Sequence, residues 1–289
     1  MYRVADLSGN RLDAWTESAR EYDSFEKKWH FYGTVADAMI GRLDLEQGSR
    51  VLELACGTGA CTVKLAGAAR NGRVVALDYS EGMLGVAREN AAEAGVSNVT
   101  FVLGDAGDIA SLLAEQTFDF AVCNSAFWHF PEPDRVLAGL RALLTENGVF
   151  AFSLPSWVEG RGEARESLRA NVRELLLKRG VGPEQIAAMA ARRGRRMRDV
   201  AGLLGRFGFE ATEFPFEFRV SQESREDWRR ISVFSDSRRS WSFPELDAAT
   251  QKELRDEVEA WRRANLPRDA LESRWLIYTA RRSAELPRP

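Results

Sequence analysis

Apolar positions in the first part of the chain recur at helical spacing. Between residues 11 and 45, Trp15, Phe25, Trp29, Val35, Met39 and Ile40 stand among polar neighbours, which predicts amphipathic helix closing at the turn Gln47-Gly48-Ser49. From Arg50 the period changes. Short β-rich apolar runs, Val51–Leu54, Val74–Leu77, Val99–Val102, Phe118–Cys123 and Val149–Leu154, alternate with helical stretches near 62–68, 82–93 and 133–144. Strand and helix in alternation predict an α/β fold, a parallel sheet with helices on its faces, and the connections are long enough for right-handed crossovers.

After Pro155 the alternation stops. Residues 161–179 and 183–205 read as charged helices that end before Phe207-Gly208-Phe209, and they are expected to cap the sheet as an insertion. Residues 210–220 read as one long strand, 223–265 as Arg- and Glu-rich helix, and Trp275–Ala280 as a final strand. The expected organisation is an N-terminal helical cap over 1–45 and a core over 46–155 completed by 197–220 and 272–283. Cap insertions over 156–196 and 221–271 are expected to form a substrate pocket.

Composition narrows the class. A chain of 289 residues with 45% apolar and 29% charged residues is neither disordered nor a disulfide-stapled miniprotein. The formal net charge of −3 lacks the footprint of a dedicated nucleic-acid binder, although Arg192–Arg198 forms a local basic run. Such a run is ordinarily a solvated helix face and keeps an RNA substrate only as a minor alternative. Three cysteines without framework spacing and two isolated histidines point to a reducing compartment and no metal site. With no apolar leader and no run of about 18 apolar residues, the expectation is a cytoplasmic protein without a membrane partner. Its oligomeric state is not readable.

The chemistry concentrates in Val51-Leu52-Glu53-Leu54-Ala55-Cys56-Gly57-Thr58-Gly59-Ala60-Cys61-Thr62, an apolar strand entering a small-residue turn and then a helix. Gly57 and Gly59 let backbone amides approach a ligand. A dinucleotide fingerprint would carry a third glycine where Thr62 stands, and Glu53 would repel a pyrophosphate while attracting an ammonium group. A nicotinamide-dependent oxidoreductase is thereby disfavoured. Asp78 ends the second strand and Asp105 follows the third, so three acids fall at successive strand ends, on the edge where open α/β sheets bind ligands. Capping of the following helices is the competing role for each.

At these residues the sequence resembles the class I S-adenosylmethionine-dependent methyltransferases of small-molecule type. Glu53–Gly59 resembles the family's first motif, Leu77-Asp78-Tyr79-Ser80-Glu81-Gly82-Met83-Leu84 its second-strand motif, and Gly104-Asp105-Ala106-Gly107-Asp108 its adenine-site motif. Phe118–Asn124 and Leu144–Gly148 resemble the fourth strand and a later turn. The resemblance implies a Rossmann-like, seven-stranded, mostly parallel sheet with its last strand antiparallel, and S-adenosyl-L-methionine as cofactor. It also implies site roles. Glu53 would hold the methionine ammonium directly or through water, and Ala55, Cys56, Gly57 and Gly59 would pack under the cofactor, Ala55 replacing a common glycine. Asp78 would take the ribose hydroxyls, with Tyr79 and Met83 beside the adenine. Asp105 and Ala106 would meet the adenine edge, Asn124 and Ser125 would border the methionine moiety, and Tyr22 would lie near its carboxylate.

Methyl transfer from a sulfonium needs alignment and exclusion of water, and a base only for a protonated nucleophile. The candidate catalytic residue is His129, in Phe127-Trp128-His129-Phe130 beyond the fourth strand, with a loop-fixing role as its competitor. No tryptophan falls between 30 and 127, whereas Trp29, Trp128, Trp157, Trp228, Trp241, Trp261 and Trp275 lie in the cap or at its junctions, which predicts an aromatic substrate chamber, ordinary cap core being the competing reading. Trp29, His30, Tyr32, Trp128 and Trp157 are its candidate substrate residues. The expected activity is methyl transfer to an O, N or C nucleophile of a small biosynthetic or secondary metabolite. A cofactor-binding protein that senses, or does other chemistry with the sulfonium, is the alternative.

Overall fold

The computed structural model describes residues 8–156, 163–192, 199–231, 246–265 and 272–283. Seven strands, β1 (Arg50–Leu54), β2 (Arg73–Asp78), β3 (Val99–Leu103), β4 (Phe118–Cys123), β5 (Leu144–Pro155), β6 (Phe209–Arg219) and β7 (Glu272–Arg282), form one sheet in the order β3-β2-β1-β4-β5-β7-β6. β7 alone runs opposite to the other six. The mostly parallel sheet with an antiparallel last strand is the architecture that the sequence motifs imply.

Helices cover both faces, which is why the central strands are apolar without alternation: Val51, Leu52 and Leu54 of β1 are all fully buried. On one face α2 (Phe31–Ile40), α3 (Ala60–Ala68) and α4 (Glu81–Glu93) pack. There Ala36 and Met39 of α2 and Cys61 and Leu65 of α3 meet Val51, Val74, Val122, Ala151 and Ile277. On the other face, α5 (Ile109–Leu112), α6 (Pro133–Leu143) and, further along the chain, α9 (Val200–Arg206) bury Ile109, Val136, Leu140, Val200 and Leu204 against Leu52, Val75, Phe150 and Leu276. The edge strand β6 sends Phe214, Phe216 and Phe218 inward at alternate positions, and Pro215 between them interrupts its donor row.

The connections that carry extra helices leave the sheet at the strand ends nearest the acids. Between β5 and β6 lie α7 (Glu163–Lys178) and α8 (Pro183–Arg192) as well as α9; between β6 and β7 lie α10 (Gln222–Arg230) and α11 (Ala248–Asn265). α7 and α11 share an apolar cluster of Val172, Leu176, Val181, Leu254 and Val258, tied by a 2.6 Å bond between Arg179 and Glu257. Two expected boundaries shift. The single helical stretch over 11–45 is α1 (Ser8–Trp29) and α2, broken at His30, whose φ of 49° is left-handed. The helix expected over 183–205 is two helices, of which α9 packs on the sheet. Trp157, Trp241 and the arginines of 193–198 lie outside the described residues.

Candidate cofactor and active site

β1 delivers Glu53 to the sheet's carboxyl edge with 1% of its surface exposed. Thr62 in the first turn of α3 donates its hydroxyl to Glu53 Oε2 at 2.6 Å, and the Cys61 thiol also bonds this carboxylate. Burial pushes the carboxyl up to about 8, because two neutral donors do not replace the lost hydration of a charge. The turn after β1 runs through three left-handed residues, Ala55 (φ 53°), Gly57 (φ 57°) and Gly59 (φ 88°). Ala55 thus carries a side chain at a position that glycine occupies without strain. Gly59 is required twice, since an added Cβ would also press on Ala87 of α4 at 3.2 Å.

Asp78, at the end of β2, closes this turn from the side. Its Oδ2 accepts from Gly57 N at 2.8 Å and its Oδ1 from Ser80 N at 3.0 Å, and burial raises its pKa despite these bonds. The Tyr79 amide also donates to this carboxylate, whose two oxygens can accept about four bonds in all and so keep capacity for a further donor such as a ribose hydroxyl. Asp105 is exposed and its Oδ1 accepts from Gly107 N at 2.6 Å, capping the short turn that buries Ala106. Two carboxylates are therefore buried beside the glycine turn, and the third caps at the surface. This donor and acceptor set suits an ammonium and a diol, and the residues fit S-adenosylmethionine.

Helix α1 lies over the same edge. Thr16 Oγ1 is 3.0 Å from Ser80 Oγ, Arg20 pairs with Glu89 at 2.5 Å, Asn90 donates to Asp23 at 2.6 Å and Lys27 reaches Glu93 at 3.1 Å. Gly82 makes the approach possible, because any Cβ there would stand 2.5 Å from the Thr16 carbonyl oxygen. Met83 is buried under Ala19, flanked by Trp15 and Tyr22, while Tyr79 is 38% exposed. Tyr22 stacks on Tyr32 at 5.2 Å, and its burial pushes the phenol well above its ordinary range.

The remaining named residues gather on the far side of β4. Asn124 and Ser125 follow the strand, with Ser125 left-handed at φ 58°. His129 is exposed in the next turn, with its ring 6.0 Å from Trp15 and 4.8 Å from Trp128. Trp29, Trp128, Trp228 and Trp275 pack with Tyr22, Phe31 and Tyr32 in one aromatic cluster. Trp29 Nε1 donates to Asp227 at 3.0 Å and Trp228 Nε1 to the Tyr32 hydroxyl at 2.8 Å. Trp261, on α11, is outside that cluster. His30 is exposed at the α1–α2 elbow, and none of the described ring contacts involves it. A cavity of about 260 Å³ lies at the opposite ends of the strands, between Arg42, Asp44, Asn147, Glu210 and Arg281, away from Glu53, Asp78, Asp105 and the glycine turn.

Four residues of this region lie outside the motifs: Trp15 beside His129, Thr62 as the partner of Glu53, Ser153 on β5, and Glu26. The Glu26 carboxylate accepts from Tyr32 N at 2.8 Å and Gly33 N at 2.7 Å, capping α2. A buried strand-end acid implies a donor one helical turn away, which was the available signal for Thr62. Glu26 stands six and seven residues before the amides it serves and carries no cap signature.

The model of a family described as a methyltransferase domain matches residues 45–194. A malonyl-[acyl-carrier protein] O-methyltransferase of Bacillus anthracis is 29% identical over 151 residues, 51% of this chain and 52% of that protein. A demethylmenaquinone methyltransferase of Bacillus velezensis is 28% identical over 123 residues, 42% of this chain and 49% of that protein. The chain spans about a third to a half of the length of the curated relatives it matches. Among solved structures, the YcgJ protein from Bacillus subtilis superimposes with a TM-score of 0.57 at 14% identity, over 87% of this chain and 99% of that one. That likeness concerns the fold alone. With the family model spanning more than half of the chain, and the motif acids and glycine turn standing on its sheet, the chain belongs to the methyltransferase-domain family, in the class I fold that uses S-adenosylmethionine.

Proposed function

We propose that this protein is an S-adenosylmethionine-dependent methyltransferase acting on a small molecule. The observation that carries the reading is the pairing of buried Glu53 and Asp78 on either side of the Gly57–Gly59 turn. Bound S-adenosylmethionine supplies an electrophilic methyl carbon on a sulfonium. Glu53 holds the ammonium of the cofactor, Asp78 accepts from the ribose hydroxyls, and the turn packs beneath them. Ala55 and Cys56 line that turn, Tyr79 and Met83 flank the adenine, and Asp105 with the Ala106 backbone meets its edge. Asn124, Ser125 and Tyr22 border the methionine end. None of the cysteines takes part as a thiolate, because burial pushes Cys56, Cys61 and Cys123 well above the ordinary thiol range.

His129 accepts the proton released when a hydroxyl, amine or acidic carbon of the acceptor takes the methyl group, from an exposed position where the proton passes on to water. Trp29, Tyr32 and Trp128 present the aromatic wall toward the acceptor. By their names, the curated relatives above act on malonyl-[acyl-carrier protein] and on demethylmenaquinone, which supports a metabolic acceptor and does not single out a secondary metabolite. No described helix is long and apolar enough to cross a membrane.

Calorimetric titration with S-adenosylmethionine, S-adenosylhomocysteine and NAD tests the reading. Binding of the first two without the third is expected. Binding of NAD alone overturns the cofactor assignment, and so does binding of none.

A further inference from the structure

The turn that follows β4 has to hold two groups in place: Asn124 beside the cofactor and His129 toward the acceptor. Its backbone is strained where it leaves the strand, since Ser125 adopts φ 58° without being glycine. Something outside the turn must fix it.

Ser153, near the carboxyl end of β5, is fully buried. Its hydroxyl accepts from Ser125 N at 2.8 Å and donates to Asn124 Oδ1 at 3.0 Å. The Ser125 hydroxyl also reaches Asn124 Oδ1, at 3.3 Å. On the other side, Asn124 Nδ2 donates to the Tyr32 carbonyl oxygen at 3.0 Å. That oxygen is only an acceptor, so the carboxamide has one possible orientation: nitrogen toward Tyr32, oxygen toward Ser153. One N–H of Asn124 remains without a described partner.

We propose that Ser153 is a positioning residue of the methyl-transfer site: through its buried hydroxyl it holds the left-handed Ser125 and sets the carboxamide of Asn124, leaving that residue's second N–H as the donor offered to the cofactor. The inference rests on the cofactor reading above and adds a residue on β5 that no motif contains. An alanine at 153 removes the acceptor of Ser125 N and one donor to Asn124 Oδ1 together, so the carboxamide is free to turn and the strained turn to relax. Loss of one well-placed hydrogen bond to the cofactor corresponds to about a tenfold change in binding.

The test is a double-mutant cycle on S-adenosylhomocysteine binding, read by calorimetry, with Ser153→Ala, Asn124→Ala and the double variant, each first shown by thermal melting to be folded at the titration temperature. Each single variant is expected to bind about tenfold more weakly, and the double variant no more weakly than Asn124→Ala. A merely structural serine gives the opposite pattern, with losses that multiply. Multiplying losses, or wild-type binding by Ser153→Ala, overturn the proposal while the cofactor reading stands. Failure of the unsubstituted protein to bind the probe overturns the cofactor reading itself. Should Ser153→Ala not fold, Ser153→Cys, of similar volume with a weak donor, takes its place in the same cycle under the same two outcomes.

Discussion

Replacing Glu53 by glutamine should leave stability nearly unchanged below the carboxyl's unfolded pKa and make the protein increasingly more stable as pH rises above it. The carboxyl is 1% exposed and bonded to Thr62 and Cys61, with no Lys or Arg paired to it among the described residues. Burial moves its pKa from 4.5 to about 8. Between these values the native chain holds a proton that the unfolded chain has released, so stability falls as pH rises, by about 1.4 kcal/mol per pH unit. Over the whole window the loss is on the order of 5 kcal/mol, an upper figure because water entering the site relaxes it. Glutamine cannot ionise and is free of that loss. Urea denaturation of both proteins across this window, without cofactor, should show their stability difference near zero below the unfolded pKa and growing with pH until it levels above the folded one. A difference independent of pH refutes the argument, since it would mean that Glu53 is already charged and solvated in the native state. Saturating S-adenosylmethionine should suppress the effect, because its ammonium favours the carboxylate; binding then releases a proton near neutral pH.

Ala55→Gly should gain roughly 0.5–1 kcal/mol in a denaturation experiment, because a methyl group at φ 53° costs more than the added chain entropy of glycine; destabilisation would remove the strain argument. Asp78→Ala should weaken S-adenosylmethionine binding by roughly 1–3 kcal/mol in calorimetry, and an unchanged dissociation constant takes Asp78 out of the site. His129→Ala is expected to leave cofactor affinity and melting temperature intact while slowing turnover on the acceptor by about a hundredfold; full turnover would make the residue structural. Gly82→Ala places a Cβ 2.5 Å from the Thr16 carbonyl oxygen and should loosen α1 from α4, detected as faster proteolysis within residues 14–29. Wild-type cleavage rates would show that the two helices move apart without cost.

The gathering of the glycine turn with Glu53 and Asp78 was legible because these residues are close in sequence and tied to strand ends. Glu53, the glycine turn and Asp78 each follow an apolar run whose type is clear, and the sheet then brings them to one edge. The elbow at His30 was not legible. Apolar spacing continues through it, no glycine or proline marks it, and its left-handed φ is stabilised by Glu26 reaching past it to the amides of Tyr32 and Gly33. The early start of β5 was hidden for a similar reason: Thr145-Glu146-Asn147-Gly148 has turn composition, yet it lies within a strand whose first residue, Leu144, pairs with Phe118 of β4 across a register shift. Which tryptophans meet is a property of the assembled fold. Trp228 and Trp275 lie 47 positions apart and join Trp128, whereas Trp261 between them in sequence does not.

Tyr32 shows how the two halves of the site are coupled. Its amide serves the Glu26 cap, its carbonyl fixes the Asn124 carboxamide, its ring stacks on Tyr22, and its hydroxyl accepts from Trp228 on α10. The first three tie together α1, α2 and the turn after β4; the fourth reaches a helix inserted between β6 and β7, which the proposed function places toward the acceptor. α10 is further bound to α1 by Lys28, which reaches Glu223 at 2.9 Å and Asp227 at 2.8 Å. These surface ion pairs are individually weak, and the buried contacts of Tyr32 are what α10 cannot lose without cost. If the acceptor lies against α10 and the cofactor beside Asn124, as proposed above, an acceptor that displaces α10 acts on Tyr32 and through its backbone on Asn124, so that acceptor binding and cofactor alignment are linked by one residue. A methyltransferase needs that arrangement, because its rate depends on holding nucleophile, methyl carbon and sulfur in line.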